Sequence, residues 1–128
     1  MKIARERKLR GEPHIYADYA DRIAGVIGVS GEDLRVDLIS FVDKTLKYAV
    51  ENNPIEAARA LRGIEKRDRP MLVDRYGLGG IYNSQGWDVG LTGVGKGNYQ
   101  TNKSPIVVLG ELSHTGNFKA LLEKMCAE

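Results

Sequence analysis

One cysteine in 128 residues, Cys126, leaves no internal disulfide to form, so the chain must be held by packing alone. Beside Leu122 and Met125 in a helical pattern, this thiol reads as a small core or interface residue. A lone cysteine also points to a reducing compartment, the cytoplasm. Histidine is equally scarce: His14 and His114 stand far apart, and nowhere do Cys, His and acidic residues adopt metal-ligand spacing. Ser84 lacks the flanking glycine of a nucleophile elbow, because Tyr82 holds that position. No apolar run approaches the ~18 residues of a membrane span, and no apolar signal region follows the charged N-terminus. These absences favour a non-enzymatic chain without metal, cofactor or membrane contact, in which no catalytic residue can be named.

Charge of one sign is also in short supply. The formal net charge is only +2, yet it is uneven. Lys2, Arg5, Arg7, Lys8 and Arg10 face a single Glu6 at the N-terminus, and the remainder is slightly acidic. Residues 1–11, closed by Gly11, read as a basic flexible arm whose cations can contact phosphates or a partner without reading a base sequence. Residues 12–128 are expected to form a single globular domain, large enough for a core of its own.

What the sequence does have is one long amphipathic stretch, residues 31–53. Wound as a helix, it gathers Leu34, Leu38, Ile39, Phe41, Val42, Leu46, Tyr48, Ala49 and Val50 on one wide arc. Asp33, Asp37, Ser40, Asp43, Lys44, Lys47 and Glu51 fall on the other side. Before it, Pro13 suits a helix start, and Ile15, Tyr19, Ile23 and Ala24 give an apolar face up to a stop at Gly28. Ser30 is the natural N-cap of the central helix. After it, Asn53 and Pro54 open an alanine-rich third helix, residues 54–67, and Pro70 opens a short one that Gly77 stops.

The texture then changes. Eight glycines stand between Gly77 and Gly97, a density poor for helices. Trp87, Val89 and Leu91 alternate with polar or small residues, and Ile106 to Leu109 form a β-branched run, so the two pair as a hairpin. Ser113 or Thr115 caps a last helix carrying Phe118, Leu121, Leu122, Met125 and Cys126. The expected architecture is mainly α (α+β). It comprises a small bundle of four or five helices around helix 31–51, one glycine-rich β-hairpin at about 86–109 inside a glycine-rich segment 77–104, and a C-terminal helix.

Two stretches resemble known motifs. Residues 23–34, IAGVIGVSGEDL, are similar to the helix-turn-helix of bacterial repressors, with Ala24 between the helices, Gly28 in the turn and Leu34 on the buried side. Asp37 departs from that pattern where an apolar residue is usual. The exposed start of the second helix carries Glu32 and Asp33, with only Arg35 basic. Residues 90–97, GLTGVGKG, satisfy the glycine and lysine positions of a phosphate-binding P-loop, with Lys96 as the phosphate lysine. Gly97 replaces the Ser or Thr that holds magnesium.

The leading expectation is a protein-interaction or assembly module. It would self-associate and offer its glycine-rich hairpin and basic arm to other protein chains. Lys2, Arg5, Arg7, Lys8, Arg10, Arg35, Trp87 and Tyr99 are the candidate contact residues, and Tyr82, Trp87 and Tyr99 with Lys96 and Lys103 are a candidate stacking surface. The alternative is a small DNA-binding protein using residues 23–38, with the arm on phosphates. A third reading places a phosphate or nucleotide at Lys96.

Overall fold

The computed structural model describes residues 12–34, 37–91 and 101–127. Among them are eight helices and no strand: α1 (Glu12–Ile27), α2 (Gly31–Leu34), α3 (Leu38–Asn52), α4 (Pro54–Leu61), α5 (Arg69–Arg75), α6 (Gly79–Gln85), α7 (Pro105–Leu112) and α8 (Gly116–Ala127). The protein is mainly helical, as its periodicities require. No described helix is long and apolar enough to cross a membrane.

α3 lies at the centre. Phe41, Val42, Leu46 and Ala49 on its apolar arc are buried, and Leu38, Ile39, Tyr48 and Val50 pack at the margin of the same cluster. α1, α4 and α7 all pack against it, and α8 closes over α1 and α4. The Phe41 and Phe118 rings meet edge to face at 6.3 Å, bringing α8 onto the middle of the core.

The expected continuous helix 31–51 is in fact two helices. Ser30 caps the first, its hydroxyl accepting from Asp33 N–H at 3.1 Å, but α2 ends at Leu34. Asp37 has an extended backbone, and its carboxylate accepts from Ser40 N–H at 2.6 Å. An aspartate that satisfies free N–H groups restarts the helix there, so α3 begins at Leu38. The third helix is likewise shorter than its sequence pattern. α4 stops at Leu61, and Ile64, inside the expected helix 54–67, is buried from the turn that follows.

The β-hairpin at 86–109 is not formed. Ile106 to Leu109 belong to α7, with Ser104 as N-cap and Pro105 in the first turn. The Ser104 hydroxyl accepts from Val107 N–H at 3.3 Å. The β-branched run favours a strand only weakly, and this start signal overrides it. Val108, Leu109 and Leu112, one turn apart, are buried against the rest of the core.

Glycine in the 77–91 stretch punctuates helices rather than abolishing them. Gly77 and Gly86 have φ of 67° and 70°. Each ends a helix, and the next residue bonds back: Leu78 N–H to Val73 O and Trp87 N–H to Tyr82 O, both at 2.9 Å. Gly79 and Gly80 start α6, which the sequence pattern gives no reason to expect. Its Tyr82 is fully buried.

Replacing Ser104 by Ala removes the α7 cap. It is expected to lower the unfolding free energy by about 1 kcal/mol in a urea titration. Unchanged stability would count against a helix starting at this point.

Candidate functional site

The last turn of α4 and the turn after it, residues 58–69, gather most of the structure's buried polar chemistry. Arg62 N–H turns back to Ala60 O and Arg59 O, so the Ala58 carbonyl loses its usual helical donor. Tyr82 supplies another, its hydroxyl donating to Ala58 O at 2.7 Å. Asn117 at the start of α8 donates to Arg59 O at 3.1 Å. Gly63 makes room for that approach, since a Cβ there would press on Thr115 and Asn117 at 3.1 Å.

Arg69 completes the arrangement. Only 8% exposed, its guanidinium donates to Ile64 O at 3.0 Å, to Arg62 O at 3.4 Å and to Asp88 O at 2.7 Å. The planar fork of arginine suits several carbonyls at once, which a lysine cannot match. Beside it Lys66 pairs with Asp88 at 3.3 Å, and Leu91 N–H donates to Lys66 O at 2.9 Å. Gly90, at φ 125°, lies so close to that carbonyl that any Cβ would collide with it.

The far end of the glycine-rich segment returns to the same turn. Lys103 Nζ lies 3.0 Å from Asp68 and from Glu111, and Asp68 is fully buried. Burial opposes the Asp68 charge. Hydrogen bonds from Thr101 and Lys103 outweigh that cost and hold the carboxyl below its ordinary value. Glu111 and Asp68 together raise Lys103. Both Leu91 and Lys103 are therefore anchored on residues 65–69, although twelve positions separate them in the chain.

Trp87 lies outside this network but touches it. Half-buried, its ring meets Tyr82 edge to face at 5.6 Å, with the Arg62 guanidinium 4.9 Å and that of Arg59 5.8 Å from its centre. Burial pushes the Tyr82 hydroxyl up to about 12, so it is a permanent donor at physiological pH. A second buried contact joins α5 to α3. The Tyr76 hydroxyl donates to Asp43 Oδ1 at 2.6 Å, and Lys47 lies 3.2 Å from the same carboxylate. Burial works against the Asp43 charge, but these partners leave its pKa lowered, while burial and Asp43 raise Tyr76.

Of the candidate contact residues, Lys2, Arg5, Arg7, Lys8, Arg10, Arg35, Lys96 and Tyr99 lie outside the described residues. Trp87 is described, packed between arginines and Tyr82. The stacking surface is corrected in two places: Tyr82 is fully buried and Lys103 is held in ion pairs. Asp88 faces solvent, in irregular backbone and not on a strand. Around the resembling helix-turn-helix, Ala24 and Leu34 are buried and Gly28 has φ of 91°. No group of three His, Cys, Asp or Glu that could hold a metal ion occurs among the described residues. Sequence reasoning missed Asp68 and Arg69, which sit in the polar run EKRDRP without any periodic signal.

Substituting Arg69 by Met should cost about 3 kcal/mol in chemical denaturation, because buried carbonyls lose their donor, and Arg69→Lys should recover only part of it. For Asp68 the folded pKa lies below the unfolded one. Its contribution is thus complete above about pH 4 and is lost as pH falls through the folded value. The urea midpoint should therefore drop between about pH 5 and pH 3, less steeply in Lys103→Met than in the native chain. The chain matches no protein-family model, no curated protein and no solved structure.

Proposed function

We propose that this protein is a non-enzymatic assembly module that associates with copies of itself and docks on other protein chains. The observation that carries this reading is exposed apolar surface on both sides of residues 92–100. Leu91 is 50% exposed, and Ile106 and Val107 in the first turn of α7 are 62% and 48% exposed. Single exposed apolar residues are ordinary. Here three flank one segment whose two ends are tied to the same turn, a rigid root on which a contact surface can be presented. The buried charges nearby serve as fold restraints, each aimed at a backbone carbonyl or a counter-charge. The basic residues of 1–11 would add electrostatic attraction to an acidic partner, and repetition through oligomerisation would raise a modest affinity.

A DNA-binding role for residues 23–38 is the second reading, favoured by the buried Ala24 and Leu34 on either side of the Gly28 turn. Size-exclusion chromatography with light scattering, run with and without duplex DNA in 0.5 M NaCl and in low salt, separates the two. On the assembly reading the native chain forms an oligomer of fixed size that persists at high salt. Ile106→Asp with Val107→Asp then returns it to monomer with its melting temperature preserved. A monomer at every concentration removes the assembly reading. DNA binding that falls steeply with salt and disappears in Arg35→Ala would establish the other.

A further inference from the structure

α4 has an outward stripe that the core does not use. Ile55, 42% exposed, and Arg59 and Arg62 are spaced four and three residues apart, so they share one face, and Trp87 flanks it. Tryptophan and arginine beside an exposed aliphatic residue are the composition of protein-contact hot spots. Arg59 shares Glu56, 3.1 Å away, whereas Arg62 has no carboxylate partner among the described residues and rests on Trp87 instead. Stacking leaves the edge of the guanidinium fork free for a bidentate carboxylate. Arg67 is exposed three positions beyond the buried Ile64 and extends the same sign of charge.

A face of complementary character lies on the other side of α3 in the chain. α2 exposes Glu32 and Asp33, and Val29, 38% exposed, precedes them. Each face thus combines an excess of one charge with one exposed aliphatic residue. α3, 15 residues and so about 22 Å long, runs between them in the chain. A phosphate polymer suits the stripe less well, because Glu56, Glu65 and Asp88 interrupt its positive charge.

We propose that the Ile55–Arg59–Arg62–Trp87 stripe of one copy docks on the Val29–Glu32–Asp33 turn of a second copy. The contact is head-to-tail, so each row of copies ends in one free stripe and one free acidic turn, and growth continues instead of closing at a pair. It rests on the assembly reading but differs from the apolar contact in its salt response. Charge pairs at a rim are screened, while apolar burial is strengthened or unchanged.

Light scattering at 0.05 M and 0.5 M NaCl, over a range of native protein concentrations, provides the test. The expected result is the fixed-size oligomer at 0.5 M NaCl and larger species, growing with concentration, at 0.05 M. Arg62→Glu should remain at the fixed size in low salt, and so should the double variant Glu32→Lys, Asp33→Lys. Mixing the two variants should bring the larger species back, since each supplies the face the other lacks and the altered faces also attract. The same fixed-size oligomer at both salt concentrations would overturn the proposal while leaving the assembly reading intact, and a monomer at both would remove the two together. Growth that persists in the Glu32→Lys, Asp33→Lys variant would do the same. Those two side chains are exposed, so this variant decides the matter even where Arg62→Glu fails to fold. Growth in low salt only after DNA is added would assign the stripe to nucleic acid and reject the contact between copies.

Discussion

The end of α4 carries the constraint on which the rest of the structure depends. A helix that stops inside a protein leaves carbonyl groups facing a medium with no water to pair them, at a cost of about 1–3 kcal/mol each. Here Tyr82, Asn117 and Arg69 supply the donors, from α6, α8 and α5 respectively. Three other helices are thereby fixed against one turn, in directions that apolar packing alone does not specify. Losing Tyr82 or Arg69 removes the donor to a buried carbonyl, Ala58 O or Ile64 O, whereas the Asn117 bond is exposed and costs less to break.

The same turn organises the charges. Arg69 is nearly buried, and its guanidinium donates to three backbone carbonyls. Asp68 next to it takes Lys103, and Lys66 takes Asp88 on the surface. Breaking the buried pair leaves an uncompensated charge, whereas breaking the exposed one costs little, because water replaces the partner. The two ends of the glycine-rich segment are consequently held with different strength in acid. The Lys103 end depends on a carboxylate that titrates, and the Leu91 end on a backbone hydrogen bond that does not.

Two kinds of surface lie outside this network. One is aliphatic exposure at Leu91, Ile106 and Val107, and the other is the arginine and tryptophan stripe of α4 facing away from the core. Both are the surfaces we propose for contact with other chains, and charge pairing is screened by salt while apolar burial is not.

Helix identity was largely legible from local signals. Ser30, Pro54, Pro70 and Thr115 stand at helix starts, Gly28 and Gly77 at stops, and the apolar arcs of α3 and α8 are buried as their spacing requires. Those features depend on residues within one or two turns of each other, so the chain itself determined them. Tertiary structure decided what rests on distant partners. Ile106 to Leu109 are β-branched enough for a strand, yet they wind into α7 where Val108, Leu109 and Leu112 can be buried together. The glycine-rich stretch contains α6 because Tyr82 finds the Ala58 carbonyl 24 positions away. Asp68, Arg69 and Lys103 carry no periodic pattern, and only the folded chain brings a buried carboxylate to an ammonium 35 positions further on. Caps and apolar spacing are short-range properties of sequence, whereas satisfaction of a buried polar group is a property of the whole packed chain.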